Sequence, residues 1–258
     1  MARAYTVCSA DQKPEALRIW SRFYYNLARP QSGDLSETWD NNYLFLSYEK
    51  MQKAFELSPD LNNTTQWARV VQRTGTNPPQ DKDTDWTRKL RLAQKDLYRE
   101  WQAQKDKVLA PADRIPPLDI LAVITMDAVK REWMESSSNV RPEAAGRLLE
   151  ELDEVAVPAA REAIGLLQTT PLAKEYNFDL NYDLGRIHAT RYMILKAVIP
   201  EKAPDAVQAI ITNMTAAWKG AKTNQAQAAL HALDSDSVLT SLPKAIKAQL
   251  TKIFQGGG

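Results

Sequence analysis

The stretch TDWTRKLRLAQKDLYREWQAQKDKVL, residues 84–109, decides the fold class. Trp86, Leu90, Ala93, Leu97, Trp101 and Val108 recur at steps of three, four and seven, so they fall on one side of a helical spiral. Arg88, Arg91, Lys95 and Arg99 recur at three and four on another side. At about 1.5 Å of rise per residue these four cations form a ridge roughly 16 Å long. The pattern predicts one helix over 84–109 whose apolar side is buried and whose cations are wet or face something negative. An ordinary surface helix also carries a charged stripe opposite an apolar one, so the ridge is a weak sign of function.

Upstream, Pro14 and Glu15 predict the start of a helix with Leu17, Trp20, Tyr24 and Leu27 on its apolar face, stopped by Pro30 and Gly33. A second helix is expected over 43–57, with Tyr48, Met51 and Phe55 sharing a face and Pro59 ending it. Thr64 or Thr65 is expected to cap a third, which carries Trp67, Val70 and Val71 and closes at Gly75. GTNPPQDKDTD, residues 75–85, reads as a loop.

Downstream, LAPADRIPP, residues 109–117, holds three prolines in seven residues and reads as the main joint of the chain. Most aromatic residues precede it, and Ala, Leu, Ile and Val dominate after it. The expected organisation is an aromatic-rich helical lobe over 1–110 and an Ala/Leu-rich one over 111–258, ending in a flexible glycine tail. In the second lobe a helix over 118–135 is expected to bury Leu121, Ile124, Val129, Trp133 and Met134. Ser136 to Asn139 break it, and Pro142 allows the next helix, in which Leu148, Leu149 and Leu152 form the inner face and Glu150, Glu151, Asp153 and Glu154 the wet one. Pro158 is expected to divide that helix from one ending near Pro171. Further helices are predicted over 183–198, 205–218, 224–233 and 242–254, and no internal repeat is evident.

The whole therefore reads as all-α, because nine glycines and no sustained alternation of β-branched residues leave little material for hairpins or phosphate loops. Lys plus Arg number 33 and Asp plus Glu 32, so no global field draws the protein to nucleic acid or lipid, and electrostatic partners must be sought in local patches. One cysteine, Cys8, excludes an intramolecular disulfide and any Cys-only metal site. The amino terminus lacks the apolar stretch of a secretory signal, and the best apolar run, residues 118–126, is far shorter than the roughly 20 residues that cross a bilayer. No membrane association is expected.

The chemistry is marked mainly by what is missing. There is no GxGxxG, Walker loop, GxSxG, HExxH or CxxC. The histidines, His188 and His231, have Gly185 and Ala228 three residues before them, which excludes a Glu-x-x-His di-iron site, and no cofactor is expected. Asp183 and His188 form an acid and base pair on the functional reading; on the plain one His188 is a half-buried histidine of an amphipathic helix, and no nucleophile supports the former. Asp81, Asp83 and Asp85 imitate a calcium loop, but Trp86 and Leu92 stand where that loop needs Gly and Glu. Ser47 and Lys50 match Ser-x-x-Lys without its companion motifs, and Asp179 and Asp183 lack a matching acidic pair.

The cationic side offers more. If the third helix and the helix over 84–109 pack antiparallel, Arg69 and Arg73 join Arg88, Arg91, Lys95 and Arg99 in one groove, with Trp67, Tyr98 or Trp101 available to stack bases, as single-stranded nucleic acid requires. Asp81, Asp83, Asp85, Asp96 and Glu100 dilute that field. The expected function is a non-enzymatic, self-assembling subunit of the coat or nucleoprotein kind, a homo-oligomer in the cytoplasm or in a virion-like particle, with exposed aromatics Tyr5, Tyr24, Tyr25 and Tyr43 at its contacts. The alternatives are an adaptor without nucleic acid and a helical enzyme whose site is assembled from scattered carboxylates and arginines.

Overall fold

The computed structural model describes residues 8–29, 39–77, 85–107, 110–136, 141–170 and 173–256. Tyr5, Pro30, Gly33, Asp81, Asp83, Val108, Leu109, Ser137 to Asn139 and Pro171 lie outside them. The described residues form helices joined by short turns, with π and 3-10 pieces and no strand among them, so the chain is all-α. Its internal contacts divide it into two compact units, Met1–Val108 and Leu109–Gly258.

The first unit holds α1 (Lys13–Ala28), α2 (Asn41–Leu57), α3 (Leu61–Thr76) and α4 (Trp86–Gln104). Asp40, Asp60 and Asp85 start the last three, each accepting hydrogen bonds from backbone N–H groups of the first turn that would otherwise lack a partner. Asp60 thus takes the capping role expected of Thr64 or Thr65. Those threonines lie inside α3, where their hydroxyls donate to the Asp60 and Leu61 carbonyls. α1 and α2 meet closely because both present a serine at the crossing. Ser21 Oγ donates to the Ser47 carbonyl at 2.9 Å, and Ser47 Oγ donates back to the Ser21 carbonyl at 3.0 Å. The buried side of α1 is therefore Leu17, Ser21 and Ala28, while Leu27, expected inside, is exposed. Around Tyr48 the rings of Phe45, Trp67 and Trp86 gather within 5.2–5.6 Å. α4 returns along α3, where Gly75 lets Leu90 approach; a Cβ there would sit 3.4 Å from Leu90 Cγ.

The second unit begins with α5 (Pro111–Glu135), which corrects the expected joint. Pro116 and Pro117 lie inside this helix. Each removes one backbone bond, to the carbonyls of Ala112 and Asp113, but both residues are exposed, where solvent can take the place of the lost donors. Burial of Ile115, Pro117 and Leu118 offsets the cost. Leu121, Ile124, Val129 and Trp133 are buried as expected, whereas Met134 is exposed.

Pro158 does not divide its helix either. α6 (Arg141–Glu151) runs through a π segment, Leu152–Ala156, into α7 (Val157–Leu167). The Val157 N–H donates to the Leu152 carbonyl five residues back, so the register slips just before the proline that has no N–H to give. Leu148, Leu149 and Leu152 face inward, and Glu150, Asp153 and Glu154 face water. α8 (Ala173–Val198) packs on α9 (Ala203–Trp218), where Gly185 accommodates Met214. α10 (Thr223–Ser235) and α11 (Lys244–Phe254) complete the unit.

Candidate functional site

α4 sorts its residues as its periodicity requires. Trp86, Leu90, Ala93, Leu97 and Trp101 are buried, while Arg88, Lys95 and Arg99 are exposed and Arg91 is half-buried. The ridge is partly engaged: Arg99 pairs with Asp96 at 3.1 Å, and Arg91 Nη1 donates to Gln94 Oε1 at 3.2 Å.

Arg69 and Arg73 do not join that ridge. They stand six and two residues before Gly75, which at about 100° per residue puts them more than 100° around α3 from the side that meets α4. Arg73 lies over the Trp39 ring, 4.7 Å from its centroid. Arg69 lines a cavity with α1. Nor do Trp67 and Trp101 serve as stacking platforms, because both are buried; Tyr98, 40 % exposed, is the available ring on α4. The expected single groove of six cations is therefore two separate surfaces, one on α4 and one between α3 and α1.

The cavity was not anticipated. Residues of α1, α2 and α3 enclose about 370 Å³, with Arg18, Arg22 and Arg29 from α1 and Arg69 from α3 in its wall. The signal lay in the steps of four and seven that set Arg18, Arg22 and Arg29 on one face of α1. It says nothing until α3 is known to bring Arg69 to the same place.

In the second unit Asp183 and His188 form no acid and base pair. His188 is buried, its two ring nitrogens bond to no described residue, and desolvation, then the Arg161 and Arg191 cations, push its pKa down to about 4 against the opposing charge of Asp153. It is a neutral core histidine. Asp183 instead accepts from Arg186 at 3.1 Å, and Arg186 reaches on to Asp236 at 2.9 Å. Burial pushes Asp183 up to about 6 although Arg186 opposes it. Asp236 lies below its ordinary value because the Arg186 and Lys130 charges and the N–H groups of Val238 and Leu239 outweigh its desolvation. Asp127, 1 % exposed and salt-bridged to Lys130 at 3.1 Å, adds a further buried carboxylate. These groups spend their hydrogen-bonding capacity on one another and on the backbone after α10, which is how a buried ion cluster holds a connection in place.

Ser47 is wholly buried in its helix crossing, so Ser-x-x-Lys has no accessible nucleophile. Asp85 caps α4, and no group of three or more metal-ligating residues occurs among the described residues. No helix there is long and apolar enough to cross a membrane. No family model, curated protein or solved structure matches the chain.

Proposed function

We infer that the chain is a non-enzymatic structural subunit that assembles with copies of itself and contacts single-stranded nucleic acid, as a coat protein or nucleoprotein does, in the cytoplasm or in a virion-like particle. The observation that carries this reading is α4: four cations along roughly 16 Å of one helix, opposite a stripe that is fully buried. A polyanion needs such a row and no base-specific chemistry, because cations that follow phosphates bind any sequence. Assembly is supported on α1, where Ile19, Phe23 and Leu27, at steps of four, are 55 %, 45 % and 41 % exposed. An apolar row of this kind is more than scattered surface hydrophobes and fits a protein contact.

Titration of the parent with a fluorescent oligouridine at several salt concentrations tests the reading. Binding should weaken with salt, log K falling with log salt by about 0.7 per neutralised phosphate. The R91E/K95E double variant should lose binding while keeping its helical content and melting temperature. Parent-like binding by that variant removes nucleic acid from α4. A small monomer without absorbance excess at 260 nm on purification removes the coat reading and leaves an adaptor.

A further inference from the structure

We propose that the cavity between α1, α2 and α3 is a binding pocket for a phosphomonoester of nucleotide size, separate from the α4 ridge. Arg18, Arg22, Arg29 and Arg69 line it against one carboxylate, Glu15. Glu15 is already held by Arg18, whose Nε and Nη2 reach its two oxygens at 2.7 and 2.6 Å. That pair is electrically closed, which leaves Arg22 and Arg69. Arg22 and Arg69 come from different helices, and neither forms an ion pair or hydrogen bond with a described residue. Two like charges on one cavity repel each other unless an anion or water intervenes.

The charge count selects the anion. A phosphomonoester carries about −1.5 to −2 near neutral pH, while an internal phosphodiester carries one charge. Guanidinium forks bind phosphate oxygens bidentately, so arginine rather than lysine in all four positions fits this chemistry. The cavity volume of about 370 Å³ falls at the small end of the roughly 300–1,000 Å³ of ligand pockets, enough for more than a bare phosphate. Tyr25 supplies an aromatic wall, its ring held by the edge of Trp39 at 5.1 Å. A phosphate on the arginines with a base or sugar against Tyr25 satisfies both.

Calorimetric titration with uridine 5′-monophosphate, inorganic phosphate and uridine tests this directly. The monophosphate should bind, inorganic phosphate should bind more weakly and uridine should not. Affinity for the monophosphate should rise with pH through about 6, as its second proton leaves. R22Q and R69M should each weaken binding by about tenfold or more, and R69K should recover part of the loss. R91E/K95E should bind it as the parent does, so failure at the ridge and failure here are distinguishable. Oligouridines with and without a 5′-phosphate separate the two sources of the group: a phosphorylated chain that binds far better than both the bare chain and the monophosphate marks a chain end, and equal binding of monophosphate and phosphorylated chain marks a free nucleotide. Equal binding of uridine and its monophosphate, absence of binding at millimolar monophosphate, or parent-like binding by both folded arginine variants overturns the proposal.

Discussion

Arg186 and Arg191 of the second unit and Arg22, Arg69 and Arg88 of the first are placed in opposite ways. In the second, Arg186 forks between Asp183 and Asp236, and Arg191 Nε donates to Asp153 at 2.8 Å while its Nη2 reaches the other carboxylate oxygen. In the first, Arg88 stands in a row and Arg22 and Arg69 around a cavity, none of them ion-paired with a described carboxylate, and Arg73 rests on a ring. A closed ion cluster is a structural device, whereas cations left in company with their own kind cost self-repulsion and gain only from an outside anion. The difference is the ground for proposing anion recognition in Met1–Val108, while the charges of Arg186 and its partners in Leu109–Gly258 close on one another.

The hardest test of that contrast is Arg186→Met. It leaves two half-buried carboxylates without their shared cation; a broken buried pair typically costs about 3 to 5 kcal/mol, so this one should cost about 3. Urea unfolding should show a loss of that size. If R186M were as stable as the parent, the cluster would not be what holds the connection after α10, and its charges would need another purpose. Trp101→Ala, in the buried stripe of α4, should cost a similar 3 to 5 kcal/mol by leaving a cavity; a neutral result there would reverse the assignment of the ridge as the outer face.

A smaller effect hides in the pH dependence of the second unit. His188, at about 4 when folded against 6.5 ordinarily, stays neutral while the unfolded chain takes up a proton. Its contribution of about 3 kcal/mol is present above 6.5 and is lost as pH falls through the folded value. Asp183, raised from 3.8 to about 6, has the opposite sign: the folded state holds the proton more tightly, so stability falls as pH rises through this window, again by about 3 kcal/mol. The two slopes offset in the parent. D183N should expose the His188 slope, so that unfolding free energy drops steeply on acidification from neutral toward about pH 4. H188Q should expose the reverse. Identical slopes in the parent and both variants would refute the buried placement of these two groups.

What the sequence disclosed and what it withheld follow from range. α4 was legible because a buried stripe at helical period needs only near neighbours to be read, and each described position of that stripe is buried. The prolines misled because their usual meaning, an interrupted helix, assumes that the lost bonds matter. At Pro116 and Pro117 the freed carbonyls are exposed, and at Pro158 a π turn absorbs the change of register. Ser21 and Ser47 read as ordinary polar residues because only the crossing of α1 and α2 turns small hydroxyl side chains into packing surface. The arginine cavity was the least legible, since Arg69 and Arg22 are 47 residues apart in numbering and become neighbours through three helices. Asp127 and Asp236 escaped for the same reason.

Gly185→Ala sharpens the picture of the second unit at about 1 kcal/mol. The new Cβ would fall 2.8 Å from Met214 Cε and 3.0 Å from its sulfur, atoms at the mobile end of a flexible side chain. Overpacking costs typically 1 to 3 kcal/mol, and replacing a mid-helix glycine by alanine returns roughly 1. A small net loss should appear in urea unfolding; a gain would mean that α8 and α9 have room that this contact denies.

The smallest stability effect is the most telling for function. R22Q, and separately R88A, should shift unfolding free energy by no more than about 0.5 kcal/mol, because both side chains are exposed and neither closes a pair in the described fold. Removing one cation from a like-charged group relieves repulsion, so R22Q should lie on the stabilising side of zero at low salt and approach zero as salt screens the remaining arginines. Arg186→Met has the opposite salt behaviour, since its damage arises from half-buried carboxylates that ions in solution screen poorly. A destabilising R22Q at low salt would mean that this arginine serves the fold, and its contrast with Arg186 would fail.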